Sequence, residues 1–208
     1  MIGVNRDVSD GTFADTGKTA ASINLQSQNA DSFIKFATAS ANNTEPTERV
    51  RIDKDGNVLV GVGITLGNGI THAAANTISD YEEGTWTPAL NRVSASTVSY
   101  TNRYGYYTKV GRLVTLNFYI TINAVAAQGG SVNYISGLPF TGGGVASISN
   151  AGSLGVNNAF ATAIVQTTMG RGSEASITFH DNTNANANLG VNWVAGGILS
   201  GSLSYFVD

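Results

Sequence analysis

The sequence predicts an all-β protein in two parts: an N-terminal segment of short β-hairpins over residues 1–79 and a β-sandwich domain over residues 80–208. Apolar and polar residues alternate at every second position in several segments, which is typical of half-buried β-strands. The 25 glycines, together with Asn and Asp, interrupt the chain at short intervals and predict turns. Residues 71–79 are the only stretch that favours a helix, and they are too few to form a stable one.

The first part consists of short strands joined by turn residues. Residues 50–52 and 58–60 predict two strands that flank the turn sequence DKDGN, whose Gly and Asn tolerate positive φ. Residues 32–36 predict another strand. Strands this short bury little apolar surface by themselves. We therefore expect an intertwined, shaft-like segment in which identical chains wrap around one another.

The second part has longer strands. Residues 114–122 alternate strictly, with Val, Leu, Phe and Ile at the even positions and Thr, Asn and Tyr at the odd positions. A turn at 110–112 joins this strand to residues 106–109 in a predicted hairpin. We interpret this part as a β-sandwich of jelly-roll-like type. Further strands are expected at 161–167, 175–180 and 199–207, with loops at 142–144 and 181–188.

The composition excludes several classes of function. Charged residues make up 12% of the chain, against about 25% in ordinary globular proteins, and uncharged surfaces let identical chains pack without desolvating charges. A net charge of −3 provides no basic surface for nucleic acid. The chain has no cysteine, and hence no disulfide or thiolate metal site. No apolar run approaches the ~20 residues of a membrane span, so we expect no membrane insertion.

Few residues are candidates for catalysis. A nucleophilic triad needs a histidine base, and the chain has only His72 and His180. Asp181 would point away from His180 if both lie in one strand. Asp80 and Glu82 would lie about 7 Å apart in an extended segment, a separation that fits an inverting glycosidase. Their place at the entrance of the second part favours ordinary solvated charges, and we predict no catalytic residues and no enzyme activity.

Metal and cofactor motifs fail at their defining positions. Residues 53–57 begin like an EF-hand loop, but Val58 occupies the position that needs Gly and Ile64 the position that needs Glu. Gly61 and Gly63 lack the third glycine and the helix of a dinucleotide-binding loop. We therefore predict neither a metal site nor a cofactor.

An Asn-rich loop is the best candidate for ligand recognition, because amide groups suit sugar hydroxyls and loops on rigid β-scaffolds commonly carry binding sites. An ordinary solvated loop or a contact between copies is the alternative. Aromatic side chains also stack on sugar rings, although packing explains each of them equally well. The predicted receptor-binding residues are His180, Asp181, Asn182, Asn184, Asn186 and Trp193, and the other aromatic candidates are Tyr100, Tyr104, Tyr106, Tyr107 and Tyr119.

Four motifs carry a resemblance to a known family. TERVRID at 47–53, followed by GNVLVG at 56–61, resembles a hairpin of bacteriophage tail fibres and related trimeric adhesins. DYEEGTWTP at 80–88 resembles the opening of a C-terminal domain common in phage tail proteins. YYTKVG at 106–111 and ISGLPF at 135–140 are similar to later landmarks of that domain, in the same order.

The resemblance implies a homotrimeric tail fibre of a virion, with residues 1–79 as the shaft and residues 80–208 as the receptor-binding head. It implies as partners the other two copies, a glycan or outer-membrane protein of the host cell surface, and other phage tail proteins at the N-terminal end. The chain departs from many relatives because no self-cleaving chaperone domain is visible, so we expect the head to register the three chains. A piece of a longer fibre, or a short fibre attached through an adaptor, would account for the sequence.

Two alternatives remain open at this point. The chain would serve equally as a structural tail or baseplate component without receptor binding. A glycan-cleaving tailspike is the other alternative, but such spikes usually use long β-helices, and the sequence shows no long repeat.

Overall fold

The computed structural model describes residues 2–4, 17–28, 31–42, 44–66, 72–92, 95–129, 133–143, 151–160, 166–169, 176–180 and 192–207. These residues form β-structure almost throughout, and their one helical element is a single 3₁₀ turn at Ala74–Asn76. The prediction of an all-β protein is confirmed. The chain divides into two compact units, Met1–Ser79 and Asp80–Asp208. Among the described residues, no helix is long and apolar enough to cross a membrane.

The first unit contains a five-stranded antiparallel sheet, whose strands follow one another in chain order, and a separate two-stranded ribbon. Each strand of the sheet pairs with the next one in the sequence, so the sheet is a meander of hairpins. Its strands are β1 (Ile2–Val4), β2 (Ala21–Gln28), β3 (Asp31–Thr38), β4 (Thr47–Ile52) and β5 (Val58–Val60), and the ribbon pairs β6 (Ile64–Thr65) with β7 (Thr77–Ile78).

The hairpin of β4 and β5 has the predicted turn. Oδ1 of Asp53 accepts hydrogen bonds from the backbone N–H groups of Asp55 and Asn57, at 3.0 and 2.8 Å. Gly56 adopts φ +87°, a backbone conformation that residues other than Gly rarely adopt. The predicted strand at 32–36 also exists, because it lies within β3.

The second unit contains a nine-stranded antiparallel sheet in the order β8-β10-β11-β16-β13-β14-β15-β12-β9. The longest pairing joins β10 to β11 in a hairpin whose turn contains Gly111 at φ +57°. This hairpin confirms the prediction for residues 106–122. The strands are β8 (Tyr81–Trp86), β9 (Ala89–Arg92), β10 (Ala95–Val110), β11 (Leu113–Gly129), β12 (Asn133–Ser136), β13 (Ala151–Asn157), β14 (Gln166–Met169), β15 (Ser176–His180) and β16 (Ile198–Phe206).

The core of this unit lies on one face of the sheet. From Val114 to Ile122 of β11 the even-numbered residues are buried and the odd-numbered residues between them face outward, as the alternation predicts. The sheet curves so that β9, at one end, meets β10, next to the other end: the hydroxyl of Tyr100 on β10 accepts a hydrogen bond of 2.8 Å from the backbone N–H of Leu90 on β9. The sheet therefore closes over its own apolar face. The core residues include Trp86, Leu90, Val114, Leu116, Phe118, Ile120, Ile122, Ile135, Phe160, Ile177, Phe179, Trp193, Leu199, Leu203 and Tyr205.

Two of the later strand predictions are confirmed in the described residues. β16 matches the strand expected at 199–207, and β15 matches the one expected at 175–180. β14 covers the end of the strand expected at 161–167, and residues 161–165 lie outside the described part of the chain. The predicted loop at 181–188 also lies outside it.

Two glycines allow β8 and β10 to approach each other. Gly84 lies directly opposite Tyr107 in the ladder, and Gly105 lies directly opposite Trp86. A Cβ atom at Gly105 would be 2.5 Å from Nε1 of Trp86, and one at Gly84 would be 2.6 Å from the hydroxyl of Tyr107. Each aromatic ring therefore covers the backbone of a glycine on the neighbouring strand. Trp86 packs edge-on against Phe118 on its other side, at a centroid distance of 6.2 Å, so it has little freedom to move.

We expect Gly105→Ala to lower the free energy of unfolding by about 1–3 kcal/mol, because its methyl group would overlap the buried ring of Trp86 and overpacking carries a cost of that size. Urea unfolding followed by tryptophan fluorescence measures the change. Gly61→Ala is the control, since a Cβ atom there meets nothing closer than a backbone oxygen at 3.5 Å. Equal stability of the two variants would contradict this account of the β8–β10 contact.

Tyr205 makes the stability of the second unit depend on alkaline pH. Its side chain is fully buried, and its hydroxyl donates to the carbonyl oxygen of Phe140 at 2.9 Å. Burial raises the pKa of Tyr205 to about 12, whereas the unfolded chain releases this proton near pH 10. The stabilisation is therefore complete below about pH 10 and is lost as the pH rises toward about 12.

We expect the melting temperature to fall between about pH 10 and pH 12, because the unfolded chain then binds fewer protons than the folded chain. Tyr205→Phe should melt below the wild type at neutral pH, since the carbonyl of Phe140 loses its donor. Its melting temperature should fall less steeply through the alkaline range. Tyr104→Phe controls for the removal of an exposed hydroxyl. If the melting temperature of Tyr205→Phe fell with rising alkaline pH as steeply as that of the wild type, the pH dependence could not come from Tyr205.

Candidate functional site

The structure describes only the beginning of the predicted receptor-binding loop. His180 is the last residue of β15, and its backbone pairs with Gln166 on β14. Asp181, Asn182, Asn184 and Asn186 lie outside the described residues. Their role in binding stays a prediction from the sequence.

Trp193 lies in the core of the second unit, and this position corrects its placement among surface residues. Its side chain is 2% exposed. The ring centroid lies 4.6 Å from that of Phe160 and 5.8 Å from that of Phe179. A ring that stacks on a sugar must present a face to solvent. The packing alternative therefore accounts for Trp193 in the chain as described.

The landmark motifs of the second unit meet around the ring of Phe140. Lys109 forms an ion pair with Asp80, and its ammonium group lies 5.4 Å from the centroid of the Phe140 ring. The ring of Tyr107 packs edge-on against Phe140 at 5.3 Å. The hydroxyl of Tyr107 donates a hydrogen bond to Glu82, and this bond raises the pKa of Tyr107. Three motifs that are far apart in the sequence thus form one structural cluster.

The two carboxylates considered for glycoside hydrolysis both belong to this cluster. Asp80 accepts from Lys109, and Glu82 accepts from Tyr107, so each is bonded to a residue of β10. These contacts fasten the start of β8 to the neighbouring strand. The sequence does not reveal them, because 29 residues separate Asp80 from Lys109 and nothing local marks the two as partners.

An open depression of about 420 Å³ lies beside the first sheet and is lined mainly by residues of β2, β3 and β4. Its carboxylate, Asp53, already accepts hydrogen bonds within the β4–β5 turn, and these bonds lower the pKa of Asp53. The described residues contain no group of three or more His, Cys, Asp or Glu side chains that could hold a metal ion. The depression therefore offers shape and apolar surface rather than reactive groups.

The middle of one face of the first sheet is apolar, and we call this area the apolar face. Direct cross-strand pairs place its side chains on the same side: Ile23 opposite Phe36, Leu25 opposite Ile34, and Ile34 opposite Ile52. Side chains that pair directly in this way share a face of the sheet. The apolar face consists of Ile23, Leu25, Ile34, Phe36, Val50, Ile52, Val58 and Val60.

The opposite face of this sheet, which we call the polar face, combines polar groups with Phe33 and Ala37, and Ser22 and Ala37 on it are buried. Arg51 donates from Nε and from one terminal guanidinium nitrogen to the carboxylate of Glu48, at 2.7 and 2.8 Å, and the bond from Arg51 lowers the pKa of Glu48. The guanidinium group also lies over the ring of Phe33, 4.3 Å from its centroid. The charges of Arg51 and Glu48 are therefore already paired.

The described residues of the first unit do not cover the apolar face. Six of its eight side chains are exposed, from 36% for Ile34 to 67% for Leu25. Among the described residues of this unit, Ala20 and Ala37 are the only buried apolar side chains. An antiparallel sheet needs one face against a core, and the described part of this unit does not supply one. The alternating pattern predicts which side chains share the face but contains no signal for what covers it.

Comparison with protein-family models, with curated proteins and with solved structures finds no match to this chain.

We expect Asp80→Asn to lower the free energy of unfolding by about 1–2 kcal/mol, because it leaves the buried ammonium group of Lys109 without its charged partner. Chemical unfolding of the full chain measures the change. Glu83→Gln is the control, since Glu83 is an exposed carboxylate three residues after Asp80 that accepts a hydrogen bond only from the exposed Tyr81 among the described contacts and forms no ion pair there. A loss for Glu83→Gln as large as that for Asp80→Asn would show that the ion pair contributes nothing of its own.

Proposed function

We propose that this chain is the receptor-binding end of a homotrimeric bacteriophage tail fibre, which attaches the virion to a glycan or an outer-membrane protein of a bacterial cell. The observation that carries the proposal is the uncovered apolar face of the first sheet. It belongs to a unit whose described residues bury only two apolar side chains, those of Ala20 and Ala37. Such a unit needs a partner in order to remain folded in water.

Identical chains are the best cover for this face. Its eight side chains carry neither charge nor any polar atom, so two copies pack without desolvating a polar group. The ion pair of Arg51 and Glu48 lies on the opposite face, so this association leaves it intact. The number of three copies comes from the resemblance of the β4–β5 hairpin to trimeric fibres. The intertwined shaft expected for residues 1–79 agrees with a sheet that must share its core.

The second unit supports the role of a head. It has its own core, and its sheet closes through the contact of Tyr100 with Leu90. We propose that this closed sheet is a β-sandwich of jelly-roll type. A self-sufficient unit of this kind provides a rigid scaffold from which loops or a sheet face can bind a receptor.

The mechanism of attachment would be avidity. Three weak sites on one trimer, and several fibres on one virion, raise the effective affinity without tight individual contacts. The low charge of the chain agrees with this mechanism, because long-range electrostatic steering contributes little to the encounter.

Two measurements separate this proposal from its alternatives. A structural tail component without receptor binding would not compete with the virion for host cells, whereas a soluble attachment protein would. A glycan-cleaving tailspike would release oligosaccharide from purified surface polysaccharide, and Asp80→Asn or Glu82→Gln would abolish the release. The engagement of both carboxylates with β10 favours attachment over cleavage.

We expect the full chain to have about three times its mass of 21.5 kDa in solution, and Leu25→Asp to reduce this mass. An aspartate in the middle of the apolar face would have to be buried without a partner when copies associate. Light scattering after size-exclusion chromatography measures the mass. Gln26→Asp is the matched control, because Gln26 is the adjacent residue and lies on the polar face. A monomeric wild type, or an equal effect of both substitutions, would contradict the proposal.

A further inference from the structure

The outward face of the large sheet has a chemistry that neither the core nor the landmark cluster uses. Direct cross-strand pairing arranges its middle in two parallel rows that cross β8, β10, β11, β16 and β13. We call these two rows the tyrosine face. The first row is Thr85, Tyr106, Asn117, Ser202 and Ser153, and the second is Tyr104, Tyr119, Ser200 and Gly155.

Three tyrosine rings project from this face beside one another. Tyr104 and Tyr119 are a direct cross-strand pair, and Tyr106 lies two residues along β10 on the same side. Their side chains are 52%, 39% and 59% exposed, respectively for Tyr104, Tyr119 and Tyr106. Among the described residues, no hydrogen bond involves the hydroxyl of Tyr106 or Tyr119. The hydroxyl of Tyr104 donates to Oδ1 of Asn102 at 3.0 Å. The three rings and the hydroxyls of Tyr106 and Tyr119 are therefore available to a ligand.

The face has a step in height between its two sides. The rings stand on β10 and β11, whereas β16 and β13 contribute only serines and Gly155. A Cβ atom at Gly155 would lie 2.8 Å from the hydroxyl oxygen of Ser200, so the absence of a side chain there keeps that hydroxyl accessible. The serine hydroxyl groups of β16 and β13 therefore protrude less from the sheet than the tyrosine rings of β10 and β11 beside them.

The tyrosine face contains no charged residue, and eight of its nine residues carry a hydroxyl or an amide group. A phosphate-rich or acidic polymer would find no cation there. An apolar protein surface would remove these polar groups from water without replacing their hydrogen bonds. A neutral ligand with many hydroxyl groups and apolar ring faces fits both features. Sugar hydroxyls would bond to Ser and Asn side chains, and the C–H face of the sugar ring would stack on Tyr.

We propose that the tyrosine face binds a neutral polysaccharide of the bacterial surface. This inference rests on the proposed attachment function and assigns the receptor to the strands of the head rather than to the Asn-rich loop. The contrast with the apolar face supports it, because that face has the chemistry for contacts between copies and this one does not. A sugar ring stacked on Tyr119 would lie beside two polar side chains. Ser200 is directly opposite Tyr119 on β16, and Asn117 is two residues away on β11.

The test uses the full-length chain on two surfaces: an array of purified neutral polysaccharides from bacterial outer surfaces, and vesicles that carry outer-membrane proteins without polysaccharide. We expect binding to the array, and at least tenfold weaker binding for Tyr106→Ala and Tyr119→Ala. Tyr81→Ala is the matched control, because Tyr81 is equally exposed but lies outside the two rows. Tyr119→Phe retains the ring and should keep most of the binding.

Thermal melts and light scattering on each variant establish that it is folded and unchanged in mass. If both Ala variants bind the array as tightly as the wild type, or if the chain binds only the vesicles, the proposal that the tyrosine face is a platform for polysaccharide is wrong. The proposed attachment function would stand in either case. A change in mass caused by the Ala variants would show that copies of the chain cover this face, which also overturns the platform. Binding to neither surface would contradict both the platform and the attachment function.

Discussion

Each of the two larger sheets in this protein has apolar side chains on one face, and their removal from water is the constraint on which the rest of the structure depends. The second unit meets it alone, because its sheet curves until Leu90 on β9, at one end, contacts Tyr100 on β10, next to the other end. The main sheet of the first unit has five strands, and Ala20 and Ala37 are the only buried apolar side chains among the described residues of that unit. The second unit therefore buries its own core, whereas the described part of the first unit leaves its apolar face exposed.

Much of the fold is predictable from the sequence because its signals are local. The strict alternation over residues 114–122 predicts a strand with one buried face, and the Asp and Gly of the turn at 53–57 predict a hairpin. The partners of these strands are harder to predict. β16 pairs with β11 across more than sixty intervening residues, and the cover of Gly105 by Trp86 depends on the register between β10 and β8. Propensity and periodicity contain no information about such contacts.

The candidate sites likewise depend on long-range contacts that the local sequence does not show. Trp193 has the residue type of a sugar platform, but its neighbours Phe160 and Phe179 place it in the core, and no feature of its local sequence distinguishes the two roles. The rows of the tyrosine face become visible only when Tyr104, Tyr119 and Ser200 are aligned by strand pairing. Three of the four landmark motifs lie in the second unit, where they meet at Phe140 and hold neighbouring strands together. Their residues therefore make structural contacts.

The position of β16 determines when the head can fold during synthesis. This strand lies between β11 and β13 in the sheet, although it is made after both of them. Until the ribosome has released Ile198–Phe206, the edges of β11 and β13 stay unpaired and Leu199, Leu203 and Tyr205 are missing from the core. Closure of the sheet therefore waits for the synthesis of β16, and until then the nascent second unit exposes the apolar surface that this strand helps to cover. A nonsense codon or a proteolytic cut just before β16 would remove the middle of the sheet rather than trim its edge.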